Sequence, residues 1–178
     1  MIVTRFQDGS AVEIVGLSYA SLRRLSELHR EGAYAYGSVS SADVTWTLAE
    51  WADKIKDNFD RRYFVREGES DLVNKTGIYK DTLNSSQPWT DYQLRCNFPI
   101  AMVVAPDLFP DGDRAWAALA VVRDKLLGPL GLATLDPDDW AYRGNYDNGN
   151  DSEDPTVAHG ANYHQGPEWV WPVGFFLR

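Results

Sequence analysis

The sequence predicts an all-α fold in which long loops form the rim of a site, and three observations predict it. Apolar residues recur at spacings of three and four over several segments, no segment of length alternates with a period of two, and Thr47 and Glu50 have the Thr-x-x-Glu spacing of a helix-opening capping box. The elements follow in order. Residues 11–15 can make a short helical turn, after which Ser18 offers an N-cap for a helix over 19–30 with Leu22, Leu25 and Leu28 on one side and Gly32 as terminator. Behind Thr47, the residues Leu48, Trp51, Ile55, Phe59 and Tyr63 form one apolar stripe. The nearly all-apolar run 97–104 reads as a short buried helix that tolerates Pro99 in its first turn. Asp113 can cap a helix over 114–127, which Gly128-Pro129 ends. A last helix is expected to start at Pro167 and run toward Arg178, kinked at Pro172.

Two long irregular stretches, 67–95 and 128–165, separate these helices. Loops of that length inside a compact domain are commonly functional, and these carry Trp89, Asp91, Tyr92, Asp136, Asp138, Asp139, Trp140, Tyr142, Tyr146, Tyr163 and His164. They read as the rim of a site on a helical scaffold.

Charge and composition exclude several functions. The 178 residues hold 17 Lys plus Arg against 26 Asp plus Glu, a formal charge of -9, with the basic residues scattered, so no nucleic-acid partner is expected. No apolar run approaches the roughly 18 residues that span a bilayer, and Met1-Ile2-Val3-Thr4-Arg5-Phe6 lacks the apolar core of a signal peptide. The expectation is a cytoplasmic chain with no membrane partner. A lone Cys96 forms neither an internal disulfide nor a thiol zinc site, and His159 and His164 have no third nitrogen or sulfur ligand beside them. The run Asp147-Asn148-Gly149-Asn150-Asp151 lacks EF-hand spacing, and neither a nucleophile elbow nor a phosphate loop occurs. No metal and no cofactor is expected. The seven Trp are an excess with two readings: packing in the core, or flat faces for a neutral, hydroxyl-rich ring ligand.

The segment Asn162-Tyr163-His164-Gln165-Gly166-Pro167-Glu168-Trp169 concentrates the chemistry. Glu168 has two readings, electrostatic trim in the first turn of a helix or a working carboxylate beside indole rings, as in glycoside hydrolysis. Asp91 and Arg95, four apart behind Trp89, can pair with each other or grip sugar hydroxyls. Leu135-Asp136-Pro137-Asp138-Asp139-Trp140 is an acidic turn that can shape a loop or line a site.

Taken together, Asp8-Gly9-Ser10-Ala11-Val12-Glu13, Gly77-Ile78-Tyr79-Lys80-Asp81, Pro88-Trp89-Thr90-Asp91-Tyr92-Gln93-Leu94-Arg95, Leu126-Leu127-Gly128-Pro129-Leu130-Gly131-Leu132, Thr134-Leu135-Asp136-Pro137-Asp138-Asp139 and Tyr163-His164-Gln165-Gly166-Pro167-Glu168-Trp169 resemble one family, from about residue 8 to the last. It is the C-terminal amylo-α-1,6-glucosidase region of glycogen debranching enzymes. The resemblance implies an (α/α)6 toroid, of which residues 1–178 would be the later part without a transferase domain, so a fragment is expected. It implies hydrolysis, with inversion, of the α-1,6-linked branch glucose of glycogen limit dextrin, with Glu168 as general base. Trp89, Asp91, Arg95, Asp136, Asp138, Tyr163, His164 and Trp169 are then the candidate substrate-binding residues. The general acid of the family is an Asp in a Gly-Thr-Trp-Met-Asp segment that these 178 residues do not contain. Trp51-Ala52-Asp53-Lys54 is only superficially similar, so Asp53 does not inherit the role. The implied partners are glycogen or limit dextrin and the remaining part of the debranching enzyme. A chain without the acid is expected to be inactive alone, and a non-catalytic glucan-binding or subunit-docking remnant is the alternative.

Overall fold

The computed structural model describes residues 8–178, so the readings made on residues 1–7 lie outside the described residues. The described chain is helix-rich: α1 (Val12–Arg30), α2 (Leu48–Tyr63), α3 (Phe98–Val104), α4 (Gly112–Leu126) and α5 (Val173–Phe176). It also carries strands, which corrects the all-α expectation. β1 (Ser38–Ser41) and β2 (Val44–Thr47) form an antiparallel hairpin, and β3 (Leu132–Ala133) pairs antiparallel with β4 (Glu168–Trp169).

α1 is one continuous helix, so Ser18 does not cap a second one. Its buried stripe is Val12, Gly16, Tyr19 and Leu22, spaced four, three and three, and the stripe passes straight through the glycine. Gly16 is there for closeness: a Cβ on it would lie 2.8 Å from the Ala101 Cβ of α3. Gly32, at φ +77°, stops the helix as expected, because a left-handed residue after the C-cap is cheapest for glycine. α2 opens on the predicted capping box, in which Glu50 N donates to Thr47 Oγ1 at 3.1 Å and Thr47 N donates to Glu50 Oε2 at 2.9 Å. Its buried face is Leu48, Ala52, Phe59 and Tyr63, whereas Trp51 stands on the outer shoulder, 44% exposed. α4 is capped by Asp111, whose Oδ1 accepts from Arg114 N at 3.0 Å, and not by Asp113.

α1 packs against both α2 and α3. Between them lies an aromatic core: Phe59 stacks on Tyr63 at 4.6 Å, while Tyr79 meets Phe98 at 5.6 Å and Phe109 at 4.8 Å. None of the seven tryptophans belongs to it. Trp46, Trp89 and Trp169 are half-buried, and Trp51, Trp116, Trp140 and Trp171 are exposed. The core reading of the tryptophan excess is therefore overturned.

The expected helix over 167–178 is absent. Glu168 and Trp169 form β4, a turn follows, and only 173–176 are helical. The cause is the neighbouring chain: Thr134 N donates to Pro167 O at 3.2 Å, which starts a ladder that β3 and β4 continue through the pairs Ala133 with Glu168 and Leu132 with Trp169.

Candidate active site

Glu168 sits at the outer end of this small ladder, exposed, and its carboxylate is held from below. Oε2 accepts from the backbone N–H groups of Leu130 and Gly131, both at 2.9 Å. The turn Gly128-Pro129-Leu130-Gly131, which as sequence is a helix stop, is thus a cradle for the carboxylate. Space decides its composition: a Cβ on Gly128 would fall 1.9 Å from Glu168 Oε1, and one on Gly131 would fall 2.4 Å from the Trp169 carbonyl oxygen. Helix-dipole trim is not its role here, since no helix starts at Glu168.

Aromatic rings gather on the residues before and after it, and along β4 the Trp169 side chain points to the face opposite to that of Glu168. Tyr163, His164 and Trp169 form a three-way cluster with centroid distances of 5.0, 4.9 and 5.0 Å, extended by Tyr146 and by Trp171 at 6.0 Å from Trp169. Burial and the positive charge of Arg95 push the His164 imidazole below its ordinary value, so the ring is neutral at pH 7. An exposed carboxylate with two fixed donors beneath it can take a proton from water, and a cluster of rings can bind the apolar faces of a sugar.

The structure brings Tyr163, His164 and Trp169 together with one another, on the segment that carries Glu168, and places the other expected residues differently. Trp89 pairs edge to face with Trp140 at 5.1 Å. Asp91 is buried, and its carboxylate accepts from Thr82 Oγ1 at 3.1 Å, Asn84 N at 2.9 Å and Ser85 N at 3.1 Å, which ties down the 82–85 loop. Asp136 is 1% exposed and pairs with Lys75 at 2.8 Å. Asp138 bridges Lys75 at 3.0 Å and Lys125 at 2.7 Å, and these hydrogen bonds, Lys125 first, hold its carboxyl down to about 2. Arg95 is buried too. Its Nη1 donates to the Thr134 and His164 carbonyl oxygens at 3.2 and 2.5 Å, and its Nη2 donates to Gln165 Oε1 at 2.8 Å. Arg95 thereby fastens the strap that precedes Glu168 to the strand that pairs with it. It does not pair with Asp91; its ionic neighbour is Asp81, at 3.7 Å.

Sequence reasoning missed Gln165, Thr134 and the cradle turn. Thr134 Oγ1 accepts from Gly166 N at 2.8 Å, and Gly166, at φ +139°, lets the strap turn where an added Cβ would meet the Tyr142 ring at 2.6 Å. The available signal was the pair of glycines around Pro129-Leu130, which frees two N–H groups in a turn.

A helix-rich scaffold with a cradled carboxylate in a segment that also carries an aromatic cluster fits a carbohydrate-processing protein, and comparison with known proteins agrees. Residues 2–178 match the family model described as amylo-alpha-1,6-glucosidase, and the chain belongs to that family, one of glycoside hydrolases. It is similar to the glycogen debranching enzyme of Saccharomyces cerevisiae (strain ATCC 204508 / S288c), 45% identical over 185 residues that cover 97% of this chain. The chain spans 12% of the length of that curated relative.

Proposed function

We propose that these residues supply the general-base half of an inverting amylo-α-1,6-glucosidase site within an (α/α)6 toroid. The substrate would be the α-1,6-linked branch glucose that remains on glycogen limit dextrin, cleaved in cytoplasmic glycogen breakdown. The observation that carries the reading is the Glu168 carboxylate, exposed and held by two backbone N–H groups, in a segment whose Tyr163, His164 and Trp169 rings form a cluster of their own. Glu168 takes a proton from a water that attacks the anomeric carbon, while an acid on the opposite side protonates the leaving oxygen. The two carboxyls of an inverting pair stand about 6.5 to 9.5 Å apart to admit that water. By family resemblance the acid belongs to a Gly-Thr-Trp-Met-Asp segment that is not among these residues. The 178-residue chain assayed alone is therefore expected to turn over limit dextrin roughly 10²- to 10⁴-fold more slowly than a protein carrying both groups.

The test places residues 8–178 in the yeast relative in place of the matching segment and measures glucose released from phosphorylase limit dextrin. Release by the chimera, cut roughly 10²- to 10⁴-fold by Glu168→Gln, is the expected result. An active chimera that Glu168→Gln leaves unchanged would remove Glu168 from the chemistry. The exposed rings of Tyr163 and Trp171 favour one further reading, a glucan-binding module without catalysis. Binding to glycogen by the 178-residue chain itself, with no turnover in the chimera, would select it.

A further inference from the structure

The strap before Glu168 has a gap in its pairing that one buried side chain closes. β3 and β4 pair Leu132 with Trp169 and Ala133 with Glu168, so the next residues to face each other are Thr134 and Pro167. An antiparallel pair in this position exchanges two backbone hydrogen bonds. Thr134 N gives the first, to Pro167 O at 3.2 Å. The second cannot form, because proline has no N–H to offer the Thr134 carbonyl oxygen. Arg95 Nη1 donates to that oxygen instead, at 3.2 Å, and also to the His164 carbonyl oxygen at 2.5 Å. There the strap leaves the ladder: Gly166 takes φ +139°, and its N–H goes to Thr134 Oγ1 at 2.8 Å.

The rest of the guanidinium is equally committed. Nε and Nη2 donate to Gln93 Oε1 at 3.1 and 2.7 Å, and Nη2 donates to Gln165 Oε1 at 2.8 Å. These five bonds match the five N–H groups of an arginine, so none remains for a sugar hydroxyl, and the residue is only 7% exposed. Gln93 is itself held, its Nε2 donating to Asp139 Oδ2 at 3.1 Å. Acceptor oxygens of Gln93, Thr134, His164 and Gln165 thus converge on one buried cation. A lysine, with three N–H groups and no planar fork, cannot match them.

We propose that Arg95 is a positioning residue for Glu168, assisted by Thr134: the two hold the 164–167 strap in the register that seats the Glu168 carboxylate on its cradle. This rests on the glucosidase reading, and it makes Arg95 a support behind the site in place of a sugar contact. Printed bond by bond, the path is short. Arg95 and Thr134 fix His164, Gly166 and Pro167, the next residue is Glu168 opposite Ala133, and its carboxylate accepts from Leu130 N and Gly131 N, both at 2.9 Å. A general base works only from the right place, and a misplacement of about 1 Å can cost on the order of 10²-fold in rate.

Two variants test the proposal. Arg95→Lys keeps the charge, and Thr134→Val keeps the shape while removing the acceptor for Gly166 N. In the chimera with the yeast relative, each is expected to lower kcat roughly 10- to 10²-fold while KM holds within about twofold. Combined with Glu168→Gln, neither should slow turnover further, because no base is left to position, whereas damage to the scaffold would lower the residual rate again. In the 178-residue chain, each should move the amide protons of Leu130 and Gly131 upfield while the cooperative thermal transition persists. Should Arg95→Lys not fold, the same readings on Thr134→Val decide. Unchanged kcat and amide protons in a folded variant, or a loss that adds to that of Glu168→Gln, would overturn the inference and leave the glucosidase reading standing. A chimera indifferent to Glu168→Gln would overturn both.

Discussion

Glu13 shows how position alone resets a side chain. It lies in the first turn of α1 with Oε2 buried and unpartnered among the described residues, and burial, with Asp81 nearby, raises its carboxyl from 4.5 to about 7. The folded chain thus keeps a proton that the unfolded chain releases near 4.5. The stability this contributes is complete below 4.5 and is lost as the pH rises through 7, at an order-of-magnitude cost of about 3 kcal/mol. Glu13→Gln should therefore raise the melting temperature at pH 8 and flatten its decline between pH 4.5 and 8, as read by circular dichroism. A decline as steep in the variant as in the parent would assign the dependence to another group. At the site, Gly128→Ala puts a methyl where Glu168 Oε1 lies. The amide protons of Leu130 and Gly131 should then shift upfield and exchange faster with solvent as their bonds to the carboxylate break, whereas unchanged NMR signals would mean that the cradle tolerates the methyl.

At the scale of elements, local signals and packing divide the outcome. The Thr47 capping box is read from sequence because both partners lie within one turn, and Thr47→Ala is expected to cost about 1 kcal/mol in chemical denaturation. The β1–β2 hairpin escapes sequence reading because its strands are only four residues each, so the alternation Val44-Thr45-Trp46-Thr47 is too short to stand out, and its turn uses Ala42 at φ +50° in place of glycine. α1 is longer than its pattern suggests because Gly16 and Ser18 look like breaks locally, yet Gly16 is buried against α3. Gly16→Val should force the two helices apart and destabilise by 1 to 3 kcal/mol or more, about the cost of overpacking a core. A denaturation midpoint within error of the parent would mean that α3 yields freely.

Across the whole molecule, apolar surface outside the site is large. Trp116 and Leu177 are each 73% exposed, and with Met102 and Phe175 they border an apolar cleft of about 520 Å³. Contiguous exposed patches of this kind drive association. The isolated chain is expected to self-associate at tens of micromolar in sedimentation velocity, and Trp116→Glu to shift it toward monomer. A parent chain that stays monomeric there would show the cleft to be harmless in water. Elsewhere, no helix of the described residues is both long and apolar enough to cross a membrane.

By itself the sequence determined the helix-rich character, the cap of α2, the glycine stop of α1, and the segment 163–169 that holds Glu168, because these depend on residues close in the chain. It also carried the family, through motifs that survive independent of geometry. Tertiary structure alone decided that Glu168 stands on a strand, that Gly128-Pro129-Leu130-Gly131 holds its carboxylate, and that Asp91, Arg95 and Asp136 face inward. Apart from Asp91, whose partners lie in the nearby 82–85 loop, those outcomes join residues some 30 to 70 positions apart, such as Gly131 with Glu168 and Arg95 with Gln165. The same holds for the tryptophans. An indole suits a core or a sugar equally well by composition, and only the packing of Phe59, Tyr79 and Phe98 into the interior left all seven rings wholly or partly at the surface.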